Sequence, residues 1–257
     1  FTLALRCRRG QPKWEILRRY RYAHRGYHDK PVVPENSLPA FRRAIGRGFG
    51  AELDVHLLKD GTLAVFHDSD LKRCANVEGE IEDLTLDELK QLRLEGTDEQ
   101  IPTFDEVLAL FEHATPLIIE LKTARGNHAS LARAVCERLD SYQGEFCIES
   151  FDPFALIDVK KLRPAICRGQ LSMNFERDKA GLPWYKRFIA GNLLLNFLTV
   201  PDFIAYKFED RRGYCLRSCV RVWGAQEVNW TIRSKEDMLA CEAAGGIPIF
   251  ERFDPEA

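Results

Sequence analysis

Short β-rich runs alternate with amphipathic helical stretches along most of this chain, and no other feature limits its fold so strongly. Strands are predicted at residues 20–23, 51–57, 117–121, 146–151, 166–171, 202–206, 227–232 and 246–250. Asn36 or Ser37 caps a helix running to about Arg47, and helical spacing recurs over 130–139, 153–162 and 235–244. Such alternation implies a parallel sheet. Eight strands in 257 residues suit a closed (β/α)8 TIM barrel, an α/β fold, better than an open doubly wound sheet. The barrel is expected over 20–257, after an arm at 1–19.

Two segments interrupt the rhythm. Residues 69–103 are polar and acidic with a short helix near 86–92, and read as an insertion after the second strand region. Residues 181–199 contain Trp184-Tyr185 and the apolar Leu193, Leu194, Leu195, Phe197 and Leu198. A membrane-contacting or substrate-admitting helix is one reading of them. The plainer reading, which we favour on sequence grounds, is a barrel helix packing a wide apolar face on the core.

The net charge of −2 gives no footprint for nucleic-acid binding. Eight cysteines are scattered without CxxC or zinc spacing, which favours reduced thiols and a cytoplasmic compartment over disulfides. The chain starts at Phe1 rather than Met, so a fragment or processed form is expected. Apolar Phe1–Leu5 precedes Arg6, Arg8, Arg9, Lys13, Arg18, Arg19 and Arg21. That arm reads as the remnant of a membrane anchor with a positive flank, which would associate with a membrane surface, or as a surface arm with a basic face.

The chemistry concentrates between His24 and Asp68. Glu52 and Asp54 stand two apart in a predicted strand, so both carboxylates share one face. Side by side in a core they repel and are costly to bury unpaired. A divalent cation, Mg2+ or Ca2+, is one remedy, since it takes oxygen ligands; an exposed face or a basic neighbour is the other. Glu120 adds a third carboxylate at the C-terminal mouth of its strand, where barrel enzymes keep catalytic groups. Lys122, two residues on, suits an anion.

Lys59-Asp60-Gly61-Thr62 reads as a two-residue type I′ turn pairing Lys59 with Thr62. Continued, that register sets His67 across from Asp54, within the ~5 Å of cross-strand neighbours. His24 and Arg25 follow the first strand at the same mouth. Arginine offers a planar fork for phosphate oxygens, and histidine moves protons near neutral pH. Two imidazoles flanking a phosphodiester can act as base and acid in turn. His28 is expected to be carried off by its loop, His56 to support Asp54, and His113 and His128 to lie at the surface. Ser150 ends a strand and is expected to line the pocket, but no Gly-x-Ser-x-Gly elbow makes it a nucleophile.

His24-Arg25-Gly26, Pro34-Glu35-Asn36-Ser37, Glu52-Leu53-Asp54-Val55, Lys59-Asp60-Gly61 with Phe66-His67-Asp68, Ile101-Pro102-Thr103, Glu120-Leu121-Lys122, Ser150-Phe151-Asp152 and Trp230-Thr231 together resemble the glycerophosphodiester phosphodiesterase family. The resemblance runs from about Tyr22 to near the end of the chain. It implies a phospholipase-C-like barrel whose small insertion 69–103 would supply. It also implies His24 and His67 as the acid–base pair, and Glu52, Asp54 and Glu120 as ligands of one divalent cation. Arg25 and Lys122 would contact phosphate, with Glu35, Asn36, Ser150 and Trp230 around the substrate.

The implied reaction frees an alcohol and sn-glycerol 3-phosphate from a small glycerophosphodiester. The neighbouring glycerol hydroxyl would attack first, giving a cyclic phosphate that water opens, so no protein nucleophile is required. This chain departs from the family at two places. It has Trp230-Thr231-Ile232-Arg233 where the family usually reads Trp-Thr-Val-Asn, and Phe250-Glu251 where the last strand usually ends in Thr-Asp. Both bear on head-group preference. Two other functions stay open: a lysophospholipase D-type lipid phosphodiesterase, and a barrel that binds phosphorylated ligands without catalysis.

Overall fold

The structure, a computed structural model, describes residues 2–177 and 181–257. Phe1, the first residue of the expected arm, lies outside them. The strands are β1 (Tyr22–Ala23), β2 (Gly50–Leu57), β3 (Leu63–Val65), β4 (Leu117–Leu121), β5 (Phe146–Ser150), β6 (Arg168–Ser172), β7 (Phe203–Lys207), β8 (Gln226–Ile232) and β9 (Ile247–Phe250). β1 pairs in parallel with both β2 and β9 and so closes the sheet. Eight parallel strands thereby form a (β/α)8 barrel, with β3 antiparallel on the far end of β2. Each of the eight expected strands is present within two residues of its expected bounds.

Alternation along the strands builds two apolar layers. Tyr22, Ile118, Cys147, Phe203, Val228 and Ile249 fill the barrel interior. Their neighbours Leu53, Val55, Leu117, Ile119 and Leu121 face outward onto the helices, meeting Phe41, Val107, Leu131 and Leu156. All eight cysteines are free and buried.

The N-terminal arm is built into the barrel. Its short helix Trp14–Leu17 plugs the end opposite the mouth: Leu17 is fully buried, Tyr22 Oη donates to Leu17 O at 2.9 Å, and Trp14 meets Phe203 edge-on. Several of its cations are spent there. Arg8 forks onto Asp202 at 2.5 and 2.6 Å, Arg9 donates to the Trp223 carbonyl, and Lys13 pairs with Glu145. No helix among the described residues is long and apolar enough to cross a membrane.

After β3 the chain forms the helices Lys72–Ala75 and Leu86–Leu89, over a cluster of Leu71, Cys74, Ile81, Leu89, Leu94 and Ile101 that packs under Ala64 and Phe66. The favoured reading of 181–199 is corrected by the helix Trp184–Gly191, which has no buried side chain. Its C-terminal end is tied to the barrel through Ser172 Oγ to Ala190 O at 2.8 Å and Tyr206 Oη to Gly191 O at 3.0 Å, and Arg187 pairs with Glu176 at 3.0 Å. The packing expected of it falls to Leu193, Asn196 and Thr199, which are buried.

Candidate active site at the barrel mouth

Strand period and barrel closure put the acids in one place. Glu52 and Asp54 point inward from β2, and register pairs Asp54 with Glu120 and Glu120 with Glu149 on the next strands. All four are buried. Glu52, Asp54 and Glu120 offer oxygens within 4.8 Å of one another. Asp54 Oδ1 and Glu149 Oε2 are buried without a hydrogen-bond partner. Burial first, then the neighbouring carboxylates, pushes Glu52 and Glu149 well above the usual range, and Glu120 is raised chiefly by burial. Asp54 goes the other way: burial opposes it, but Lys122, His67 and Arg25 together hold it low. Three convergent hard oxygen donors, one of them without a hydrogen bond and met only by the Lys122 ammonium at 3.5 Å, fit a divalent cation.

The loop after β1 supplies the next groups. Arg25 adopts a left-handed conformation (φ 55°), as does Asn36 (φ 52°), and Asn36 N–H donates to Arg25 O at 2.9 Å. Backbone strain of this kind persists only where surrounding contacts hold it. Here the Arg25 N–H donates to Glu52 at 2.9 Å and Asn36 Nδ2 to Asp54 at 2.8 Å, so one loop grips both β2 acids. Gly26 (φ 77°) makes the turn possible, because a Cβ there would stand 2.9 Å from the Ala40 Cβ.

Glu35 lies behind, pairing with Arg25 at 2.8 Å, Arg73 at 2.7 Å and Lys30. It orders Arg25 and does not reach the cavity. Lys122 Nζ sits 3.0 Å from Glu120 and 3.5 Å from Asp54, so its charge is turned to the acid cluster.

Each imidazole has one nitrogen pinned by a carboxylate. His24 Nδ1 meets Glu251 at 2.7 Å, and His24 Nε2 lies 3.9 Å from Glu52. His67 Nδ1 meets Asp68 at 2.6 Å, and Asp68 is held by Arg73 at 2.5 Å. Burial lowers His24 to about 4 against the opposing pull of Glu251. Glu251 is itself contacted by His28 at 3.7 Å, Arg233 at 2.8 Å and Arg252 at 3.3 Å. Burial opposes its ionisation, but the hydrogen bonds from His24 and His28 and the charge of Arg233 hold its carboxyl well below the usual range.

A cavity of about 180 Å³ opens over this set, lined by His24, Arg25, Glu52, His67, Glu120, Glu149, Phe151, Trp230, Thr231 and Arg233 among others. Trp230 is fixed by Nε1 donating to Ala205 O at 3.1 Å and by edge contact with Phe151.

Glu35 and Asn36, expected around the substrate, do not line the cavity but hold Arg25 and Asp54 from behind, and three further expectations are corrected here. Leu58 N–H donates to Thr62 O and Val55 pairs with Val65, so the hairpin loop holds three residues, 59–61, with Gly61 at φ 89°. Asp54 therefore lies opposite Phe66, whose N–H donates to Asp54 O at 3.0 Å. His67 still reaches the mouth because β3 ends at Val65 and the chain leaves the ladder, steadied by His56 Nε2, 3.2 Å from His67 O. Ser150 does not line the cavity: Glu149 and Phe151 take the inward positions, and its hydroxyl donates to Leu121 O at 2.8 Å. His28 is not carried away but lies buried beside Glu251.

Sequence reasoning placed Glu251 at the mouth without its role, and missed Glu149. The Glu120–Glu149 register, which strand alignment would have revealed, was the signal for the latter.

Fold and mouth together define a barrel enzyme equipped for phosphate-ester chemistry. The model of the glycerophosphoryl diester phosphodiesterase family matches residues 24–251, and the chain belongs to that family. It is 33% identical over 238 residues to the glycerophosphodiester phosphodiesterase of Caldanaerobacter subterraneus subsp. tengcongensis, covering 87% of this chain and 89% of that one. A lysophospholipase D of Rattus norvegicus is 33% identical over 136 residues, 48% of this chain and 41% of its own length. Among solved structures, an Oleispira antarctica phosphodiesterase in complex with the product sn-glycerol-3-phosphate superposes with a TM-score of 0.71 at 26% identity, covering 90% of this chain and 91% of that one.

Proposed function

We propose that this chain hydrolyses glycerophosphodiesters to sn-glycerol 3-phosphate and an alcohol, using one divalent cation and the pair His24 and His67. The observation that carries this reading is the grouping of three buried carboxylates within 4.8 Å, under a cavity lined by both imidazoles. Glu52, Asp54 and Glu120 would hold the ion, Mg2+ or Ca2+, which when bound draws charge off the phosphoryl oxygens.

Arg25, which lines the cavity, would present its guanidinium to the phosphate, and Lys122, paired with Glu120 and Asp54 behind it, adds positive charge to the site. Neutral at pH 7, His24 accepts a proton at Nε2, and Glu251 steadies the imidazolium at Nδ1. His67, held by Asp68, returns a proton to the departing alcohol. Among the described residues Thr231 offers the one side-chain hydroxyl in the cavity lining and no serine or cysteine joins it, and in this reading the substrate's own glycerol hydroxyl is the first nucleophile.

A lysophospholipase D activity is the second reading, favoured by that relative's name and by the exposed aromatic helix near the mouth. Assays with glycerophosphocholine and lysophosphatidylcholine separate the two. Release of sn-glycerol 3-phosphate from glycerophosphocholine is expected. Turnover of the acylated substrate alone would replace the first reading with the second. No turnover of either with Mg2+ or Ca2+ would leave a phosphate-ligand-binding barrel.

A further inference from the structure

Six of the large apolar side chains exposed among the described residues stand close after the C-terminal ends of barrel strands. Val32 follows β1, Phe154 follows β5, Trp184, Tyr185 and Phe188 follow β6, and Tyr214 follows β7. All six therefore lie beyond C-terminal strand ends, on the rim that carries the candidate site. The helix Trp184–Gly191 is the most exposed part, with Trp184 70%, Tyr185 47% and Phe188 52% accessible and nothing in the helix buried. Single exposed hydrophobes are ordinary, but three large aromatic side chains exposed within two turns of one helix mark an interaction surface.

The chemistry of the group selects a lipid surface. Tryptophan and tyrosine, apolar with one polar edge, are the side chains of the membrane–water boundary. Lys186 and Arg187 sit among them, and residues 181–221 carry seven Lys/Arg against three Asp/Glu although the whole chain is at −2. Lys186 and Arg212 make no ion pair with a described residue, so their charge is available to an anionic head-group layer. Aromatic and basic residues sharing a rim around one opening suit a planar partner. The basic N-terminal arm is a separate feature at the opposite end of the barrel, where Arg8, Arg9 and Lys13 are committed within the molecule.

We propose that the helix Trp184–Gly191 docks this protein on an anionic lipid surface, with the barrel mouth turned toward the membrane. Docking of this kind goes beyond the hydrolysis and does not depend on it. Flotation of the full chain with phosphatidylserine-containing vesicles, against vesicles of phosphatidylcholine alone, tests it. The protein should float with the anionic vesicles and less at high salt. The Trp184→Ser/Phe188→Ser variant should bind roughly tenfold or more weakly, with its melting temperature and its turnover of soluble glycerophosphocholine unchanged.

Failure of the parent protein to float, or equal flotation of the variant, would overturn the proposal. So would sedimentation showing a dimer that the same substitutions dissolve, because the patch would then be covered by a second copy of the chain. If neither protein turned over the soluble diester, the hydrolysis reading would fall while the vesicle result stood by itself.

Discussion

His24 Nδ1 has one close partner, the Glu251 carboxylate at 2.7 Å, and this contact decides what the other nitrogen can do. With the proton held at Nδ1, Nε2 faces the cavity as an acceptor, and the imidazolium formed on protonation meets a fixed negative charge. Glu251→Gln keeps the reach but removes that charge. We expect kcat for glycerophosphocholine to fall by about 10²-fold or more with little change in KM, approaching the ~10²–10⁴-fold loss of His24→Ala or His67→Ala. His24 should also titrate below its present value of about 4, since its favourable neighbour is gone. Steady-state kinetics across pH check this, and an unchanged kcat would reduce Glu251 to a structural role.

The loop 24–26 and the strand β2 act as one element, because the Arg25 N–H holds Glu52 and Gly26 lets the loop lie against the helix Leu38–Gly46. Gly26→Ala would place a methyl at φ 77° against Ala40. We expect it to lower stability by more than about 1 kcal/mol and to weaken cation affinity in parallel. Thermal melts and metal calorimetry would show this, and a stable variant with undiminished affinity would contradict the coupling.

At this scale much was legible beforehand. A period of two put Glu52 and Asp54 on one face, and Asn36 or Ser37 marked the start of the following helix, which Ser37 caps. The hairpin was not fully legible, because Asp60-Gly61 serves a two-residue or a three-residue loop equally well, and the difference moves the pairing by one. The helix Trp184–Gly191 was misread for a related reason. Amphipathic spacing reports that an apolar face exists and not what lies against it. Glu251 stands 227 positions from His24, so no local pattern could join them. Only closure of β1 on β9, seen in the His24 N–H bond to Phe250 O at 2.8 Å, brings the two together.

For the whole molecule, the buried acids and His24 make stability depend on pH in opposite senses. Glu52, Glu120 and Glu149 have folded pKa values raised above the unfolded ones, so their contribution is present at low pH and is lost as pH rises. His24 has its pKa lowered from 6.5 to about 4, so the unfolded chain binds more protons in that window and stability falls as pH drops through it. A divalent cation replaces the protons that the acids would otherwise share. Its stabilising effect should therefore be larger at pH 8 than near pH 5, where protons compete for the same oxygens.

The most direct measurement strips the protein with EDTA and titrates Mg2+ or Ca2+ back at pH 8, following melting temperature and release of sn-glycerol 3-phosphate together. Both should rise with one saturable ion per chain. At a hundredfold excess over Kd the ion contributes about 2.7 kcal/mol, a shift of roughly 5–10 °C. Glu52→Gln should blunt both responses. Full turnover by the stripped protein, or a melting temperature indifferent to the ion, would contradict the gathering of Glu52, Asp54 and Glu120 around one cation.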